Sequence, residues 1–149
     1  MPTDEELAPP LGYFNYADSY WYAAQQLEKL NLKIPHARAP VYFLYHQAIE
    51  LYLKTFQRLK NEKVLAIKGH KIGVLSRKVK KYGVSFDDDH HVVFKLLDSA
   101  DVVVTARYLK VGFTTRPSIE ALDRTCSSVR ALVATHMKQA GEKIRLFPK

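Results

Sequence analysis

The chain has 149 residues, of which 47% are hydrophobic and 26% charged, with a net charge of +8. That balance suits one packed domain and excludes wholesale disorder. No apolar run approaches the roughly 18 residues needed to cross a bilayer, and the acidic opening stretch lacks the apolar core of a signal peptide. The single cysteine, Cys126, excludes an internal disulfide framework and a thiolate-rich zinc site. A cytoplasmic protein with no membrane association is expected.

Residues 1–12 read as a flexible N-terminal arm, held extended by Ala8-Pro9-Pro10. A first helix is predicted from about Tyr13 to Asn31. Phe14, Ala17, Trp21, Ala24 and Leu27 share one face of it, and Tyr13, Tyr16, Tyr20 and Tyr22 widen that face. Lys33 to Ala39 forms a loop, and Pro40 suits a first helical position. The second helix, Val41 to Lys60, is apolar on more than one side. That pattern predicts a central helix or a contribution to a subunit interface.

Asn61 to Gly69 reads as a linker. A short helix follows over about Lys71 to Lys81, with Ile72, Leu75 and Val79 inward, and Gly83 is suited to a left-handed cap. Asp87, Asp88 and Asp89 favour the start of a fourth helix, predicted to run to Lys110. Its inward face would be Val92, Leu96, Ala100, Val103 and Arg107, and a strand at Val102–Thr105 is the rival reading. Pro117 is expected in the first turn of the last helix, which runs to Ala140. Its stripe is Ile119, Leu122, Cys126, Val129, Val133, Met137 and Ala140, with Gly141 as the cap. The expectation is an all-α fold, an antiparallel helical bundle of four long helices and one short one over residues 13–141. A basic tail follows at 142–149.

Charge is concentrated in one place. From Lys54 to Lys81 there are ten basic residues and one acid, so this stretch carries +9 and the rest of the chain −1. Such a local field attracts phosphate backbones or an acidic partner. Lys71, Arg77, Lys78, Lys80 and Lys81 are the candidate nucleic-acid contacts. No aromatic residues alternate with them, so a base-stacking platform is not indicated.

The sequence carries no Gly-rich phosphate loop, no Gly-x-Ser-x-Gly element and no His-Glu-x-x-His signature, so no cofactor or metal is expected. His46, Glu50 and Lys54 are spaced four apart and should form one ridge on the second helix. An internal polar network or interface stripe accounts for them, with a ligand role as the alternative. Arg130 and His136 lie on opposite edges of the last helix's apolar stripe. In a two-fold dimer packed along that helix they would meet in a shared cleft. There the arginine would hold a phosphate, the histidine would move a proton, and RNA would supply its own 2′-hydroxyl as nucleophile. A solvated or salt-bridged Arg130 and a half-buried His136 are the plainer reading. Arg107 could pair with Asp18 or Glu50, and Arg38 and Arg116 are placed in loops. Cys126 reads as core.

The run from Pro40 to Lys54 (PVYFLYHQAIELYLK), followed by Gly69-His70, resembles the HEPN superfamily, and the helix ending at Leu30 fits the same pattern. The resemblance covers roughly residues 13–140. It implies a helical bundle, usually dimeric. Many members are metal-independent ribonucleases of toxin, defence or RNA-processing systems, and others are non-catalytic or act beside a small nucleotidyltransferase. The family's nuclease motif is an arginine and a histidine four to six residues apart on the last core helix. Arg130 and His136, with five residues between, match that spacing. The position after the arginine, often Asn, Asp or His in active members, is Ala131. His46, Glu50, Lys54 and His70 match the family's sequence signature, and Arg107 is a further candidate on the polar ridge.

The functional expectation is a dimeric helical module that binds nucleotide, RNA or a partner protein. One alternative is a metal-independent endoribonuclease with a composite Arg130/His136 site at the dimer interface. The other is a non-catalytic partner of a small nucleotidyltransferase. The expected partners are a second copy, RNA or nucleotide, and an antitoxin or nucleotidyltransferase.

Overall fold

The computed structural model describes residues 7–60, 71–100 and 116–148. Among these the secondary structure is helical, with no strand: α1 (Pro10–Leu30), α2 (Arg38–Leu59), α3 (Ile72–Val79), α4 (Asp88–Ala100) and α5 (Ile119–Gln139), with a 3-10 turn at Lys80–Tyr82 after α3. No helix among the described residues is long and apolar enough to cross a membrane. The predicted linker at 61–69 lies outside the described residues, as do His70, Val103 and Arg107 and the rival strand.

α1 starts at Pro10, three residues earlier than the apolar spacing predicts. Pro9 is extended and Pro10 takes the first helical position, where a missing N–H costs nothing. Residues 10–12 therefore belong to the helix and not to the arm. Ala8, just before it, is tied down: its carbonyl accepts from Arg58 Nε at 2.9 Å. Tyr13, Phe14, Ala17, Trp21 and Ala24 are buried as predicted. Tyr16, however, is 67% exposed and Tyr22 also faces solvent, so the tyrosines do not widen the buried face as a group. Asn31 ends the helix in the left-handed region.

α2 packs on α1, α3 and α5, which explains its apolar residues on several sides. Val41, Tyr45, Ala48, Ile49, Tyr52, Leu53 and Phe56 are all buried. Each large side chain withdrawn from water contributes roughly 1.5–3 kcal/mol. The helix begins at Arg38, so Pro40 is its third residue, still within the turn whose N–H groups have no intrahelical acceptor. Arg38 is thus helical rather than in a loop.

Ile72, Leu75 and Val79 of α3 are fully buried. The start of α3 is capped from α4: the Asp98 carboxylate accepts from the Ile72 N–H at 2.8 Å and the Gly73 N–H at 2.9 Å. A Cβ on residue 73 would come within 2.8 Å of Asp98 Oδ2, so a larger residue there would displace the carboxylate from this cap. Gly83 takes φ +79° after the 3-10 turn.

The inward face of α4 differs from the prediction by one position. Val93, Phe94 and Leu97 are buried, whereas Val92 is 56% exposed. Two adjacent valines offer two overlapping stripes, and contact with α3 and α5 selects the one through Val93.

α5, unlike α1 and α2, begins later than predicted. Ser118 is the N-cap, its Oγ accepting from the Ala121 N–H at 3.1 Å. Pro117 stays outside the helix, and its carbonyl accepts from Tyr42 Oη at 2.7 Å. The stripe from Ile119 to Met137 is buried. Ala140 is exposed, because the helix ends at Gln139 with Gly141 at φ +83°. The Gly141 and Glu142 N–H groups return to the Lys138 and Met137 carbonyls, which satisfies the last turn.

These faces predict a sharp contrast. Ile49→Ala should cost about 2–5 kcal/mol, and Val92→Ala should stay within about 0.5 kcal/mol of the parent. Urea denaturation of the two variants measures both.

Candidate functional site

Packing of Ile72, Leu75 and Val79 against the core turns Arg77, Lys80 and Lys81 toward solvent, with Lys78 half-buried beside them. Tyr82 closes the 3-10 turn, and two ammonium groups lie over its ring: Lys81 Nζ at 5.3 Å and, from the end of α2, Lys60 Nζ at 5.9 Å from the centroid. Both are within cation–π range. The sequence reading missed this aromatic because Lys60 reaches it only through the packing of α2 on α3. Lys71 is not on the exposed face, since its Nζ donates to the Asp98 carbonyl at 3.1 Å.

The polar ridge of α2 lies inside the protein. His46, Glu50 and Lys54 are 2%, 3% and 7% exposed, and Glu50 and Lys54 form an ion pair at 3.7 Å. A buried pair offsets its own desolvation and adds little net stability. His70 and Arg107 lie outside the described residues, so their relation to the ridge is not part of the described geometry.

Arg130 does not point into open space. Its Nε donates to Asp18 Oδ1 at 2.8 Å and its Nη2 to Asp18 Oδ2 at 3.0 Å, the two-pronged geometry in which a guanidinium best matches a carboxylate. Nη2 also donates to the Arg145 carbonyl at 2.9 Å. The guanidinium lies 5.0 Å from the Phe14 ring and 5.4 Å from the Phe147 ring. Burial alone would lower its pKa, but the hydrogen bond and charge of Asp18 outweigh burial and leave it raised. Asp18 therefore pairs with Arg130; Arg107, for which Asp18 was an expected partner, lies outside the described residues. His136 lies elsewhere on the same helix. Its Nδ1 is 3.0 Å from the Leu132 carbonyl and its ring meets Phe56 edge-on. No described contact joins Arg130 and His136 within the chain.

A second carboxylate hub was not legible in the sequence. Asp123 Oδ1 accepts from Trp21 Nε1 at 2.9 Å, Gln25 Nε2 at 3.0 Å and Tyr45 Oη at 3.1 Å. The donors come from α1 and α2 and the acceptor from α5, so no local spacing announces the cluster. Beside it lies a cleft of about 590 Å³ lined by Gln25, Glu28, Tyr45, Glu120, Asp123 and Phe147, among others. Cys126 is fully buried, and burial followed by the nearby Asp123 charge pushes its thiol well up; this is a core residue. Arg116 sits outside α5 with its guanidinium over the Tyr42 ring. Among the described residues no three His, Cys, Asp or Glu side chains are grouped as metal donors.

No protein-family model, curated protein or solved structure matches the chain.

Burial and then the Asp18 carboxylate push the Tyr52 phenol up, and burial and then Asp123 do the same to Tyr45. The unfolded chain ionises both near pH 10, while the folded chain holds them protonated. Their contribution to stability is complete below pH 10 and declines above it, by about 1.4 kcal/mol per pH unit for each tyrosine. Tyr52→Phe should flatten the alkaline decline in a denaturation series from pH 9 to 11.

Proposed function

We propose that this chain is a HEPN-like helical module, an antiparallel bundle working as a homodimer, that binds RNA through the basic face of α3 and the following turn without cutting it. The observation that carries the reading is the grouping of Arg77, Lys80 and Lys81 on one exposed stretch, with Lys60 brought alongside over the Tyr82 ring. Four cations in this arrangement are suited to successive phosphates, which supply affinity with little sequence preference. The half-buried Tyr82 holds two of the ammonium groups rather than serving as an exposed stacking surface.

The state of Arg130 weighs against the nuclease alternative. An arginine neutralised by Asp18 and braced by a backbone carbonyl must leave both before it can hold a scissile phosphate.

The test uses labelled single-stranded RNA in EDTA. Four phosphate contacts predict a log–log salt slope of about −3. Lys80→Glu together with Lys81→Glu should weaken binding at least tenfold while the RNA stays intact. Salt-independent binding, or no binding, contradicts the reading. Cleavage by the parent that is lost in His136→Ala would replace it with the endoribonuclease.

A further inference from the structure

After the turn at Gly141 the chain leaves α5 and runs without secondary structure across the α1–α5 face. Contacts at Ile144, Arg145 and Phe147 hold it there, Ile144 being partly buried against the core. The Phe147 ring stacks on Trp21 with centroids 4.0 Å apart and planes 27° from parallel, and meets Tyr22 edge-on. The Arg145 carbonyl accepts from Arg130 Nη2 at 2.9 Å. Between Arg145 and Phe147, Leu146 is 93% exposed, so the packing of the segment is interrupted there.

The surface under Phe147 is built independently of that segment. Trp21, Gln25 and Tyr45 are fixed by their hydrogen bonds to Asp123, so the stacking face of Trp21 is already in place when the aromatic ring arrives. All three donors converge on Oδ1, and Asp123 lines the cleft together with Glu28 and Glu120. The charges are complementary. The cleft carries these three acids against Lys29 and Arg124, while residues 142–149 carry Lys143, Arg145 and Lys149 against Glu142.

We propose that the Trp21 face beside the α1–α5 cleft is a binding site for a basic peptide segment bearing an aromatic residue, and that the chain's own residues 142–148, whose Phe147 and Pro148 form one wall of that cleft, are its detachable occupant. The ring seats on Trp21, and the segment's backbone carbonyl meets Arg130. The segment binds in the same way whether it is joined to α5 or supplied separately.

Trp21 is the only tryptophan, so its fluorescence reports on the site directly. A chain ending at Gly141, checked for retained helicity by circular dichroism, is titrated with a synthetic peptide of residues 142–149. The expected result is a saturable change in Trp21 emission, with affinity reduced at least tenfold when the peptide carries Phe147→Ala. No saturable change, or equal binding of the two peptides, overturns the proposal. If the shortened chain does not fold, full-length Phe147→Ala carries the test. Acrylamide quenching of Trp21 should rise at least twofold and be reversed by the parent peptide. Unchanged quenching, or quenching the peptide does not reverse, overturns it equally.

Discussion

The carboxylate of Asp18 joins three helices. It lies on α1, accepts the phenol of Tyr52 from α2 and receives two N–H groups of Arg130 from α5. A charge in this half-buried position is tolerable only while it is matched. The constraint runs both ways, because Arg130 lies between Phe14 and Phe147, where an unmatched guanidinium would be as costly. One cluster thus fixes how α1 and α5 approach α2, and with it the α1–α5 cleft and the path of the segment after Gly141.

The polar groups of α2 follow the same logic at lower return. His46, Glu50 and Lys54 are buried on the helix against which α1, α3 and α5 pack. At 3.7 Å the Glu50–Lys54 pair is an ion pair without hydrogen-bond geometry. The exposed basic face is a product of the opposite side of α3: burying Ile72, Leu75 and Val79 leaves Arg77, Lys80 and Lys81 outside.

Much of the helical layout was legible because apolar spacing is a local signal. Ile72, Leu75 and Val79, and the stripe from Ile119 to Met137, are buried as their period requires. The errors arise where two local signals compete. Val92 and Val93 define neighbouring stripes, and Pro117 and Ser118 both mark a helix start, with the serine taking the cap. The site geometry was less legible because its contacts are long-range. Asp18 and Arg130 are 112 positions apart, and Asp123 gathers donors from two other helices. Charge counting located the basic stretch in the sequence but could not show that Lys71 turns toward Asp98 or that Lys60 reaches Tyr82.

Arg130 is the residue on which structure and chemistry compete. Held by Asp18, it is part of the framework that joins α1 to α5. A double-mutant cycle on Asp18→Ala and Arg130→Ala, read by urea denaturation, tests that role most directly. The predicted coupling energy is about 1.5–3 kcal/mol. Additive effects, with coupling inside about 0.5 kcal/mol, would show that the pair does not hold the helices together and would contradict the account.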